Sequence, residues 1–206
     1  SSIDKFGRYA FSNQPPITKW NLARFAECLI PLIHKDENEA IKVASEIIDN
    51  FQNIYEEKWL NMMRDKLGLF GKDQNDQKLI NDLLSWMEIN NADYTNTFCN
   101  LMNVNIEDKK VYEDQKFINW VKIWEKRVLM NNNLKEKSLD LMRNTNPTVI
   151  PRNHKVEEAL NAANEDNFEV MNKLLNILNK PYSNQKNIEN YQSLSTDKEY
   201  QTFCGT

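Results

Sequence analysis

Apolar residues recur every three or four positions through most of this chain, the spacing of helices that bury one face. Ile17, Trp20, Ala23 and Ala26 open the pattern behind Pro15 and Pro16, which suit an extended entry and then a first helical turn. The first helix is therefore predicted from about Pro16 to Ile33, with Pro31 kinking it or ending its regular part. Residues 1–14 lack periodicity and read as a shaped loop in which Gly7 leaves φ free. Asp36 with Glu39 predicts a capped start to the next helix. Its stripe continues through Ala40, Ala44, Ile47, Ile48, Phe51, Tyr55, Trp59, Met62 and Met63 to Leu67, and Gly68 supplies the stop. Uninterrupted, that helix would hold about thirty residues and reach about 45 Å, a spine for a small domain.

Asp73 is predicted to cap a third helix carrying Leu79, Ile80, Leu83, Leu84 and Met87, ended by Asn90 and Asn91. Asp93 starts a shorter one with Tyr94, Phe98, Leu101 and Met102. A fifth carries Phe117, Trp120, Val121, Trp124 and Val128 on one strongly aromatic face, and Leu134 to Met142 forms one more. Asn146, Pro147 and Pro151 mark an extended connection and the best boundary in the chain. A helical hairpin follows, its first arm carrying Val156, Ala159, Leu160 and Ala163, its second capped by Asp166 and carrying Phe168, Met171, Leu174, Leu175 and Leu178. The expected organisation is all-α: a helical region 1–145 with its loop 1–14, a hairpin 146–181, and a polar tail 182–206 that is either a strap or mobile. The hairpin has no second copy at a fixed period, so a solenoid is not expected.

Composition agrees with helices and narrows the chemistry. Four Gly and six Pro among 206 residues disfavour a sandwich or a Rossmann sheet. Asparagine is common but scattered among periodic apolar positions, unlike a low-complexity tract. With 26 Lys and Arg against 30 Asp and Glu, the formal charge of -4 offers no positive field, and a nucleic-acid partner is not expected. Cys28, Cys99 and Cys204 are too few and too far apart for a disulfide framework or zinc site, which fits a reducing, cytoplasmic setting. No run of eighteen apolar residues predicts a membrane span, and the start without Met is what a fragment or processed product would show.

No G-x-G-x-x-G or G-x-x-x-x-G-K-[ST] cradle for phosphate is present. His34 and His154 have no Cys, His or carboxylate at metal-ligand spacing and are read as capping or surface residues. Glu56 with Glu57, Asp36 with Glu37, and Glu157 with Glu158 lie on polar helix surfaces and read as solvated charge. Trp120 and Trp124 lack the interleaved basic groove of a base-stacking platform and are assigned to the core. Arg8, Tyr9, Asn13 and Gln14 stay open between two readings: they tie down the first helix or line a site. Arg152, next to Pro151 and His154, reads first as a buried polar anchor.

The segment Gly7, Arg8, Tyr9, Phe11, Asn13, Gln14, Pro15, then Trp20-Asn-Leu22 and Pro31-Leu-Ile33, resembles the selenoprotein O family. The likeness continues in Met63-Arg-Asp-Lys-Leu-Gly-Leu69, in Asp93, Tyr94 and Phe98, in Asn146-Pro147, in Arg152-Asn-His154, and in the ending Cys204-Gly-Thr206. It implies the helical C-terminal lobe of a protein-kinase-like fold with the family's own C-terminal helical extension. It also implies a parent adenylyltransferase that moves AMP from ATP to protein hydroxyls with Mg²⁺ or Mn²⁺. The phosphate-binding, proton-accepting and metal-binding residues of the family precede the Gly-Arg-Tyr segment, so the resemblance places no catalytic, cofactor-binding or metal-binding residue on this chain. Its partners would be the protein substrates and the missing N-terminal lobe, with no cofactor for this chain alone.

Cys204 matches a terminal position where some members of that family carry selenocysteine, so redox regulation in the parent and an inert tail thiol both stand as readings. A rival from another class is a free-standing helical interaction module that lacks catalysis. A third reading has this chain assembling with a separate N-terminal lobe, and it predicts a large exposed apolar patch.

Overall fold

The computed structural model describes residues 4, 6–8, 10–106, 109–130 and 134–195, which form helices and connections with no strand. The chain divides into two compact units between Leu60 and Asn61. That division falls inside a helix, and the connection at 146–151 predicted as the boundary lies within the second unit.

In the first unit a short 3₁₀ turn, Phe11–Asn13, leads into α1, Gln14–Ile33, which has prolines in its first turn and runs through Pro31 without ending there. His34 closes α1, and its Nδ1 accepts the Asp36 backbone N–H at 3.0 Å. Asp36 caps α2, Glu37–Asp49, by accepting the Asn38 and Glu39 backbone N–H groups, as the sequence predicts. The single long spine is not observed. Its apolar stripe continues in register, but Asn50 adopts a near-bridge conformation (φ -73°, ψ -9°), and α3, Phe51–Lys66, starts as a separate helix. α1 and α2 pack together, and the buried residues of α2 are the small Ala40 and Ala44.

The second unit holds the large core. α3 ends at Gly68, whose φ of +65° is left-handed, while the Leu69 N–H returns to the Arg64 carbonyl at 2.9 Å. A Cβ at Gly68 would meet the Ser138 carbonyl oxygen at 2.6 Å, so glycine is required for the close approach as well as for the turn. The cap of α4, Asp76–Ile89, lies two residues later than expected: Asn75 takes the cap position, and Asp73 instead accepts the Asn75 N–H in the preceding turn. Asn91, at φ 50°, turns the chain after α4.

Asp93 caps α5, Tyr94–Leu101, and Asp114 caps α6, Gln115–Val128. α4 and α6 pack together, and α6 buries Phe117, Trp120, Trp124 and Val128. The aromatic rings stack along the helix, Phe117 on Trp120 at 6.1 Å and Trp120 on Trp124 at 6.2 Å. Each indole N–H of Trp120 and Trp124 is spent on a backbone carbonyl, Leu79 at 2.9 Å and Leu67 at 2.8 Å. The tryptophan stripe is therefore core.

α7, Lys135–Thr145, adds Leu139 and Met142 to this core. The hairpin is α8, Asn153–Asn164, against α9, Glu169–Leu178. Its expected Asp166 cap is not formed: Asp166 is left-handed at φ 60°, and the Asn167 side chain takes the Glu169 N–H. The segment after α9 is a strap as far as Ser195. Thr148 takes hold of it through the Pro181 and Ser183 carbonyls. Ile188 joins Val149 and Ile177 in a small second core, and α10, Glu189–Gln192, returns Gln192 Nε2 to the Thr148 carbonyl at 2.7 Å.

Candidate functional site

Three places gather polar side chains, and each shows what it can do by how its hydrogen-bonding capacity is spent. The first is the loop ahead of α1. Gly7 is left-handed at φ 65°, and its carbonyl accepts Asn13 Nδ2 at 2.7 Å. The Arg8 backbone N–H donates to Asp4 Oδ1 at 2.8 Å, and the Arg8 guanidinium lies 4.7 Å from the Trp20 ring centre, with that of Arg24 at 5.6 Å. The described loop residues thus make local ties to α1. Gln14 is the first residue of α1, and its carbonyl accepts the Thr18 hydroxyl. Tyr9 and Cys204 lie outside the described residues.

The second place is a buried ionic cluster that the sequence reading missed. Asp76 is fully buried at the start of α4 between Arg64 of α3 and Arg127 of α6. Its Oδ2 accepts Arg64 Nε at 2.6 Å and the Asp73 backbone N–H at 3.0 Å; its Oδ1 accepts Arg127 Nε at 2.7 Å. Arg127 also donates to the Phe70 and Gly71 carbonyls, which fixes the turn between α3 and α4. Burial alone would push the Asp76 carboxyl up, but the donors on Arg127, Arg64 and Asp73 outweigh it and hold it below its ordinary 3.8. A groove of about 440 Å³ opens beside the cluster, lined also by Leu79, Ile123, Lys126 and Met130. With its oxygens committed to arginine, Asp76 is built to hold helices rather than to accept a proton from a substrate.

The third place joins the hairpin to α5. Arg152 makes a two-pronged pair with Asp93, at 2.7 and 2.8 Å, and its Nη2 also reaches the Gln192 carbonyl at 3.3 Å. Arg152 is thus the polar anchor expected from its place after Pro151, and Asp93 serves both as cap and as counter-ion. Beside it, burial first and the Asp93 charge second push the Cys99 thiol up to about 12, leaving a protonated, inert sulfur at neutral pH. Lys66 is shifted down by burial and rests over the Phe98 and Tyr94 rings at 4.6 and 5.2 Å. Burial and then the Lys155 charge lower His154, the second residue of α8.

Among the described residues no three His, Cys, Asp or Glu side chains come together as a metal-binding group. Among the described residues, the carboxylates of Asp76 and Asp93 are both bound by arginine. No helix among the described residues is long and apolar enough to cross a membrane.

Comparison with known proteins gives this arrangement its context. The chain is similar over its whole length to the protein nucleotidyltransferase YdiU of Pelagibacter ubique, at 56% identity over 208 residues that make up 43% of the relative. A YdiU relative from Clostridium botulinum (strain Hall) is 49% identical, and one from Nitrosococcus oceani 46%, again across 100% of this chain. The chain spans 43% of the length of the first two and 42% of the third. A family model described as protein adenylyltransferase SelO matches residues 1–179, and the chain belongs to that family.

Proposed function

We propose that this chain is the helical C-terminal portion of a larger protein nucleotidyltransferase, one that moves AMP from ATP to hydroxyl side chains of proteins with Mg²⁺ or Mn²⁺. The observation that carries the reading is the 56% identity across the whole chain to a protein nucleotidyltransferase more than twice its length. In this reading the protein-kinase-like fold is completed by the rest of the polypeptide, and phosphate, metal and hydroxyl are handled there. The helices described here support that portion through the tightly cross-linked second unit, whose arginines are bound to Asp76 and Asp93. The proposed setting is cytoplasmic, and redox regulation through Cys204 belongs to the proposal for the parent.

Nucleotide binding tests it. Titrated calorimetrically with Mg·ATP, the 206-residue chain is expected to give no saturable heat up to about 1 mM, the upper end of ordinary substrate constants. A fusion of this chain to the portion of the Pelagibacter relative outside the match is expected to bind within that range. Saturable binding by the chain alone would overturn the assignment of the nucleotide site to the rest of the protein.

A further inference from the structure

After α9 the strap returns across the second unit and is held there largely by its backbone. The Thr148 N–H donates to the Pro181 carbonyl at 2.7 Å, and the Thr148 hydroxyl lies 3.0 Å from the Pro181 and Ser183 carbonyls. Asn96 Nδ2 and Arg152 Nη2 donate to the Gln192 carbonyl at 3.0 and 3.3 Å. Donors on α5 and on the connection between α7 and α8 thus read the strap's carbonyls. Of its side chains, Ile188 packs with Val149 and Ile177, and Gln192 Nε2 donates to the Thr148 carbonyl. Main-chain hydrogen bonds joined to a pocket for one side chain are the way a groove holds an extended peptide.

The attachment is thin. The strap's helix, α10, has four residues, and Tyr182 and Leu194 toward its two ends stay exposed. Gln192 Oε1 and Arg152 Nε are buried at the junction without a hydrogen-bond partner, which raises the free energy of the seated state. The Trp120–Trp124 stack and the Asp76 cluster are built instead from α3, α4 and α6. A segment with few buried apolar contacts belongs to the part of a fold that opens first.

We infer that the strap is a detachable latch, an intramolecular ligand seated in a peptide-binding groove formed by α5, α9 and the 146–152 connection, and that it opens while the helical core stays folded. The open groove takes an extended peptide with an aliphatic side chain for the Val149–Ile177 pocket and a side-chain amide four residues later, as Ile188 and Gln192 supply now. The seated strap excludes such a peptide, because a joined segment has an effective concentration on the order of millimolar. Cys99 serves as the reporter of opening: it is fully buried, with its Sγ 3.8 Å from both the Pro147 and Thr148 carbonyls, against the residue that the strap holds.

Thiol labelling of the full chain tests this, with Cys28→Ser and Cys204→Ser leaving Cys99 as the sole thiol. In that background Ile188→Asp unseats the strap, and Cys99 should react with an aromatic disulfide reagent about 10-fold faster or more, while the near-ultraviolet signal of the Trp120–Trp124 stack is kept. A synthetic peptide of residues 181–195 should return the rate to that of the parent chain at concentrations below about 1 mM, and the same peptide carrying Ile188→Asp should not. Should the variant fail to fold, native-state amide exchange of the parent chain decides, with the amides of 183–192 expected to exchange about 100-fold faster than those of α6.

Unchanged labelling in Ile188→Asp overturns the latch, as does faster labelling that comes only with loss of the tryptophan signal. Strap amides as slow as those of α6 do the same. Failure of the 181–195 peptide to restore protection overturns the groove as a peptide site.

Discussion

Replacing Asp76 by Asn is expected to destabilise the second unit by about 3–5 kcal/mol, the usual cost of removing one partner from a buried ionic cluster. The change is nearly isosteric, so the cost is electrostatic. Arg64 and Arg127 would keep their charges, at side-chain exposures of 10% and 8%, with no anion to balance them. The turn that Arg127 holds through the Phe70 and Gly71 carbonyls would loosen with it. For a chain of this size the thermal midpoint should fall on the order of 10 °C. Asp82→Asn is the control: its partner Lys78 is an exposed neighbour one turn away, and the loss should stay under about 1 kcal/mol.

The pH dependence of the same variant has a definite sign. Asp76 has a folded pKa below 3.8, so its stabilising contribution is complete above the unfolded value and is lost as pH falls through the folded one. The gap between the parent chain and Asp76→Asn should therefore be constant near neutrality and close below about pH 4. A gap that widens on acidification would show that the carboxylate is not the group holding the two arginines.

Trp124→Ala is the second large loss, about 3–5 kcal/mol for the cavity left by a buried indole. It leaves a gap beside Trp120 and deprives the buried Leu67 carbonyl of its 2.8 Å donor. Trp124→Phe keeps most of the ring and should cost only about 1–3 kcal/mol, most of it the unpaired carbonyl. Denaturant midpoints that separate the two variants by less than about 1 kcal/mol would mean that the stack contributes little beyond its hydrogen bond.

These two residues also show where sequence reasoning reaches and where it stops. Trp120 and Trp124 were legible as core because Phe117, Trp120, Trp124 and Val128 repeat at helical spacing, with no basic groove interleaved. Asp36 and Asp93 were legible as caps, and Gly68 as a stop, because capping acts between residues two or three apart. Asp76 was not legible. It sits in a polar run behind Asp73, and its partners lie 12 and 51 residues away, so only the tertiary fold brings the three charges together.

The break at Asn50 escaped for a different reason. The apolar stripe continues across it, so periodicity alone does not register a backbone that leaves the helix for one residue. The sequence leaves the candidate loop open between a tie to α1 and the lining of a site; the Gly7–Asn13 bond and the Arg8 and Arg24 contacts with Trp20 needed coordinates.

Transfer of label from ATP to protein tests the proposed nucleotidyl transfer most directly. The 206-residue chain and its fusion to the unmatched portion of the Pelagibacter relative would each be incubated with Mg²⁺ or Mn²⁺, a mixed protein substrate, and ATP labelled at either the α or the γ phosphate. Protein-bound label is expected from α-labelled ATP with the fusion, none from γ-labelled ATP, and none of either with the chain alone. Transfer of the γ label would replace adenylylation with phosphorylation, and transfer of the α label by the chain alone would contradict the placement of catalysis outside these helices.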